Sequence, residues 1–186
     1  MKNKTIAIAG ILILFLSSCV VANLPSEDIP HENKLEKDNG MIIGAISFEA
    51  TRARDILNSY TFYYSKEKGF AWDDPKKNNI RIKPSQTVGM KFKPDFYDND
   101  RAVYYFKIEK PQGRYIFYAF RTMRDGVQSY TYTTKELAIP FTIENGKIKY
   151  FGELNVNSFN DVRAVSKSER DLPKLKEMFP NLVIEN

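Results

Sequence analysis

The sequence has one cysteine, one histidine and one tryptophan among 186 residues, and each scarcity closes off some chemistry. A lone cysteine, Cys19, can form neither an internal disulfide nor a cysteine-based metal cluster. The lone histidine, His31, falls in a stretch of acids, lysines and prolines near the N-terminus. Histidine acid–base catalysis by the rest of the chain is thereby excluded, and Ser/His/Asp and Cys/His nucleophilic schemes with it. Charge of one sign is also in short supply: 28 basic against 23 acidic residues leave +5. A nucleic-acid footprint needs more than that, and needs it clustered on one face, so nucleic acid is not an expected partner. No cofactor and no metal is implied. The length has room for one domain and a tail.

Apolar mass, by contrast, is ample. Hydrophobic residues make up 42% of the chain, with thirteen Phe and eleven Tyr, which is too much for a disordered polymer and enough for a core.

There is one long unbroken apolar run, the eleven residues 6–16, and it follows Lys2 and Lys4 and precedes Ser17, Ser18 and Cys19. Basic flank, apolar stretch and small-residue end are the layout of a secretory signal peptide. A spanning helix needs about twenty apolar residues, so this run is short for a permanent span. Leu16-Ser17-Ser18-Cys19 resembles the lipobox of bacterial lipoproteins. The resemblance implies cleavage between Ser18 and Cys19, acylation of Cys19 and attachment to a lipid bilayer through that residue. Two or three acyl chains hold a protein where one would not. With Val20 rather than Asp after the cysteine, the resemblance places the anchor in the outer membrane of a Gram-negative envelope. An ordinary signal peptide or a signal-anchor with a chance cysteine is the plainer alternative. Loss of residues 1–18 removes Lys2 and Lys4 and no acid.

Three regions follow: 1–18 as lipoprotein signal peptide, 19–40 as lipidated cysteine and flexible tether, and 41–186 as the folded domain. Residues 20–40 mix two prolines with many charges and show no period. Such a stretch buries too little surface to offset its ordering entropy.

Beyond Gly40 the chain turns to short β-branched and aromatic runs between Gly, Pro, Asn and Asp. Strands are predicted at 41–48, 60–65, 79–83, 102–109, 114–123, 137–143 and 147–156, with a weaker one at 161–165. Seven or eight strands at this spacing predict a mainly β fold, an antiparallel β-sandwich. Val103-Tyr104-Tyr105-Phe106 is apolar on both parities, as suits a strand covered on each face. One cover is a C-terminal helix, with Leu172, Leu175, Phe179 and Leu182 at helical spacing and Ser168 or Asp171 as N-cap. Pro173 fits only its first turn and Pro180 ends it. Asn145-Gly146 predicts a hairpin pairing 139–143 with 148–154. Pro111-Gln112-Gly113 predicts a hairpin or a tight corner.

Pro111, Gly113 and Tyr115, then Ile139-Pro140-Phe141-Thr142-Ile143, Gly146-Lys147-Ile148 and Tyr150-Phe151-Gly152, together resemble small bacterial β-sandwich lipoproteins of unknown function. The Pro-x-Gly-x-Tyr element is also similar to transthyretin-like sandwiches. Neither resemblance carries a catalytic motif.

The residues left to form a site are aromatics and carboxylates. Trp72 beside Asp73 and Asp74 suits sugar stacking or glycosidic chemistry; a turn before Pro75 is the plainer reading. Asp95, Asp98 and Asp100 could offer oxygens to Ca²⁺, but they lack the EF-hand glycine and glutamate, and a solvated turn explains them. Tyr130 and Tyr132, flanked by Ser and Thr, face water and are candidate ligand contacts. Arg52, Arg54, Lys76 and Lys77 read as solvated surface. The expected function is that of a membrane-anchored envelope lipoprotein acting as a non-catalytic binding or structural module for an envelope protein. The alternative is glycan or peptidoglycan binding, with or without hydrolysis, through Trp72 and its carboxylates.

Overall fold

The strand at residues 39–49, NGMIIGAISFE, carries apolar groups on both parities and sits in the middle of the molecule, buried almost from end to end. The computed structural model describes residues 24–49, 58–67, 78–83, 93–125 and 130–186. Among them are nine strands: β1 (Asn39–Glu49), β2 (Asn58–Lys66), β3 (Asn79–Ile82), β4 (Phe96–Asp98), β5 (Arg101–Pro111), β6 (Gly113–Asp125), β7 (Tyr130–Ile143), β8 (Ile148–Val156) and β9 (Val162–Val165). One helix, α1 (Ser168–Met178), follows. Among the described residues no helix is long and apolar enough to cross a membrane.

Two sheets form. The first has the order β4-β5-β1-β8-β9, the second β3-β2-β6-β7. Ile42, Ile46 and Phe48 of β1 and Tyr104, Phe106 and Ile108 of β5 face the second sheet, which answers with Tyr60, Phe62, Phe117, Phe120 and Phe141. The fold is thus the mainly β sandwich with a C-terminal helix that the periodicity predicts. Among the described strands pairing is antiparallel except between β1 and β8, and the isolated bridges of Glu32 with Asn181 and of Lys149 with Glu185 are parallel as well. The β1–β8 register has a one-residue slip between Ile43 and Gly44 that leaves Phe151 without a partner on β1.

The other parity of the first sheet, Met41, Ile43, Ala45, Val103, Tyr105 and Ile148, packs under Leu175, Phe179 and Leu182 from the C-terminal segment. The doubly apolar run 103–106 is therefore a strand covered on both faces, as its sequence requires. Leu172 is only partly buried, and neither Ser168 nor Asp171 caps the helix. The N-cap position is Lys167, whose ammonium has no acceptor to offer a backbone N–H, and Asp171, inside the first turn, is drawn inward by Tyr105, Tyr150 and Arg170.

The tether expected over 19–40 is corrected from Leu24 onward. Pro25–Asp28 forms a short 3-10 turn, and Ile29 is 2% exposed against the helix-side face of the first sheet. The His31 ring lies 5.4 Å from that of Phe179, the Glu36 N–H donates to Glu109 at 2.7 Å, and the Val183 N–H donates to Asn33 at 3.0 Å. Leu24, Ile29 and Leu35 supply the apolar contacts that composition averaged over charged neighbours concealed. Residues 19–23, Cys19 among them, lie outside the described residues.

The predicted Asn-Gly hairpin is also corrected. β7 pairs with β6 and β8 with β1, so Glu144–Lys147 is a corner that carries the chain from one sheet to the other. Lys147 N–H donates to Glu144 O at 3.2 Å, and Gly146 N–H donates to Asn39 O at 2.9 Å. Only Gly146 takes a positive φ, at 72°, whereas the hairpin turn needs it at both central residues. Gly40 makes room for this corner: a Cβ there would stand 1.8 Å from the Glu144 carbonyl oxygen. Pro111–Gly113 is a tight corner of the same kind, and Tyr115 OH locks it by donating to Pro111 O at 2.8 Å.

Candidate functional site

Two polar constellations stand out, one on each outer face of the sandwich. The first lies at the end of the first sheet where the apolar helix-side face gives way to Ser47, Glu153 and Asn155. Residue alternation along β1 and β8 puts these three side chains on the same face as Ile43 and Ala45, and Arg170 and Asp171 in the first turn of α1 cover them. Arg170 Nη2 donates to Glu153 at 2.6 Å, its Nη1 to Asp98 at 2.7 Å, and its Nε to Asp171 at 2.8 Å. Glu153 is fully buried and also accepts from Ser47 Oγ at 2.7 Å and Asn155 Nδ2 at 2.9 Å. Asp171, equally buried, accepts from Tyr105 OH at 3.1 Å and Tyr150 OH at 2.5 Å.

The electrostatics follow from these contacts. Burial works to raise the Glu153 carboxyl, but hydrogen bonds from Ser47, Asn155 and Arg170 outweigh it and hold the group below the ordinary carboxylate value. The Arg170 hydrogen bond lowers Asp98. Burial, then Asp171, push the Tyr105 and Tyr150 hydroxyls far up. Each hydrogen-bonding group here has its partner within the knot, so its work is structural: it pins the helix to the sheet.

The Ca²⁺ reading of Asp95, Asp98 and Asp100 is not supported by where they lie. Asp95 accepts from the Tyr105 N–H at 2.6 Å, Asp98 is taken by Arg170, and Asp100 is exposed on the turn between β4 and β5. Asn99 with a φ of 53° completes that turn. Among the described residues no group of His, Cys, Asp or Glu is placed to hold a metal ion.

The second constellation is an open groove of about 390 Å³ on the outer face of the second sheet. Alternation builds it. In β2, Tyr60, Phe62 and Tyr64 point to the core, and Ser59, Thr61 and Tyr63 point outward to line the groove. β3 adds Asn79 and Arg81, β6 adds Arg121 and Met123, and β7 adds Tyr132. The Arg121 guanidinium lies over the Tyr63 ring at 5.3 Å and the Tyr132 ring at 5.8 Å, and its Nε donates to Thr134 Oγ1 at 3.3 Å. Tyr132 is 57% exposed. The lining offers hydrogen-bond donors, cations and ring faces, which can grip a ligand.

Of the residues singled out from sequence, the structure brings Tyr132 into this groove. Tyr130 stands on β7 opposite Asp125, its side chain outside the description. Trp72, Asp73 and Asp74 lie outside the described residues, as do Arg52, Arg54, Lys76, Lys77, Ser18 and Cys19. The sequence reading missed Arg81 and Arg121 as site residues. Their signal was polar alternation with core aromatics in 58–64, which shares a face with 79–81 only once the strands are paired.

No family model matches the chain, and no curated protein matches it. Among solved structures, the chain is similar to a leucine-rich repeat protein from Bacteroides thetaiotaomicron, at 13% identity and a TM-score of 0.36, over 76% of this chain and 16% of that one.

Proposed function

We propose that the protein is a lipid-anchored envelope lipoprotein whose sandwich is a non-catalytic binding module, working through the groove on the outer face of the second sheet. The observation that carries the binding half is the groove itself: two arginines, two tyrosines and a floor of hydroxyls displayed by four paired strands. Sites on strands hold their geometry better than sites on loops. The lipobox at Leu16-Ser17-Ser18-Cys19 supports the anchoring half. The partner class is an envelope component, protein or glycan, within reach of the membrane.

The test is a photo-reactive residue in place of Tyr132 in the full-length chain, compared in living cells with one in place of Glu177, which is exposed on α1. A defined adduct from position 132 that is absent from 177 and lost in Arg121→Ala is the expected result. Equal labelling from both positions contradicts the proposal.

A second reading, glycan binding with Trp72, Asp73 and Asp74, gains from Tyr132, whose exposed ring is a surface on which sugars stack. Trp72 fluorescence should then shift with muropeptides, and Trp72→Ala should weaken their binding.

A further inference from the structure

We propose that the groove of the second sheet takes an acidic saccharide, its carboxylates held by Arg81 and Arg121. This deepens the reading above and rests on the groove being the binding site. The geometry begins with register. Arg81 of β3 is directly opposite Thr61 of β2, which is directly opposite Arg121 of β6, which is opposite Thr134 of β7. One row of the sheet therefore reads Arg-Thr-Arg-Thr. Strands lie about 4.8 Å apart, so the two arginine backbones stand roughly 10 Å apart with a hydroxyl residue between them.

Both arginines are exposed. Among the described residues neither takes part in an ion pair. Glu136, opposite Ala119, is the one carboxylate on β7, and among the described residues it is in no ion pair. Two guanidinium groups with no counter-ion among the described residues, on one face and a fixed distance apart, favour a ligand that brings carboxylates.

The rest of the lining selects the ligand's body. The Arg121 guanidinium lies over the rings of Tyr63 and Tyr132 and is positioned by these cation–π contacts and by its bond to Thr134. Tyr63 is already engaged by Arg121 and Tyr118, and the more exposed ring of Tyr132 offers the apolar surface for the C–H side of a sugar. Ser59 and Thr61, only 4% and 9% exposed, form the floor beneath them, and Asn79 adds an amide to the lining. A ring face beside small hydroxyl and amide groups matches a polyhydroxylated ring better than a peptide side chain. The volume of about 390 Å³ falls within the range of small-ligand sites.

The test is calorimetric titration of the full-length chain in detergent micelles with an oligogalacturonate. A neutral malto-oligosaccharide of the same length, a poly-glutamate peptide and inorganic phosphate are run beside it. The expected result is binding of the oligogalacturonate alone, weakening as salt rises. Arg81→Ala and Arg121→Ala should each lose about tenfold, the size of one charge-assisted hydrogen bond. Arg121→Lys, which keeps the charge but not the fork, should also lose affinity, and Tyr132→Ala should weaken binding with thermal unfolding unchanged. Equal binding of the neutral sugar, binding of poly-glutamate at least as tight, or binding of phosphate only overturns the proposal, as does wild-type affinity in Arg121→Lys. If the oligogalacturonate fails while the Tyr132 adduct in cells persists, the ligand class falls and the binding module stands. If both fail, both fall.

Discussion

Arg170 Nη2 stands 2.6 Å from Glu153 Oε2, and this contact joins the first turn of α1 to a fully buried carboxylate on β8. The knot around it holds the outer layer of the sandwich in place, and the fold's main sensitivities follow from it.

Arg170→Met takes the directly paired cation from two buried carboxylates, Glu153 and Asp171. Removing one partner of a buried pair costs about 3–5 kcal/mol, and urea unfolding of the variant should show a loss of that order. Adding Glu153→Gln to Arg170→Met should recover part of it. A double variant no more stable than the single one would show that the pair itself is not what the cost measures.

The same knot sets the response to acid. Glu153 and Asp98 titrate below their ordinary values in the fold. A carboxyl lowered by folding contributes stability that is complete above its unfolded value and is lost as pH falls through its folded one. Asp95, raised chiefly by burial, pulls the other way. Urea midpoints should therefore hold steady down to the ordinary carboxylate range, about pH 4, and fall below it. Glu153→Gln should flatten that acid limb, and Asp95→Asn should leave it at least as steep. A wild-type midpoint that stays level through strong acid contradicts the assignment.

Tyr104 gives a prediction of opposite sign. Its hydroxyl is buried between the sheets without a hydrogen-bond partner among the described residues, and burial pushes its ionisation well up. Leaving a buried polar group unmet costs roughly 1–3 kcal/mol. Tyr104→Phe should raise the unfolding midpoint, and a drop would mean that the hydroxyl is satisfied after all.

The N-terminal segment should behave as part of the domain. Ile29→Ala removes a side chain that is 2% exposed and should cost about 2–4 kcal/mol. A fragment that begins at residue 38 should be less stable than the full chain, because it uncovers Met41, Val103 and Tyr105. Equal stability of the two would return the segment to the role of tether.

Gly40→Ala tests the corner between the sheets. The added methyl meets the Glu144 carbonyl oxygen at 1.8 Å and its carbon at 2.7 Å, both backbone, so neither can swing aside. The loss should exceed the 1–3 kcal/mol typical of overpacking. Measurement by chemical denaturation should show it, and a variant with native stability would place the corner elsewhere.

Local pattern made much of this fold legible. Alternation located most strands, double-sided apolarity marked β5 as covered, and the spacing of Leu172, Leu175, Phe179 and Leu182 pointed to a helix. Leu172 and Leu175 lie within that helix, and Phe179 and Leu182 lie beyond its end at Met178. What stayed hidden depends on partners far along the chain. Asn145-Gly146 has the same turn chemistry whether the next strand returns to its neighbour or crosses to the other sheet. The choice is made by Asn39 and Gly40, a hundred positions away. Asp171 reads as a cap from its place before the helix, yet two tyrosines and Arg170 pull it inward. The groove is the clearest case. Arg81 and Arg121 are ordinary surface residues until β2 sets them either side of Thr61, and Tyr132 alone carried a readable hint of exposure.

The proposed attachment to a bilayer through Cys19 would make the groove an envelope site, so the mature N-terminus is the point to measure. Intact mass and N-terminal fragmentation of the protein from native membranes should show residues 1–18 gone and diacylglycerol on the Cys19 sulfur. A free thiol at that residue, or a chain that retains its apolar leader, would contradict the account.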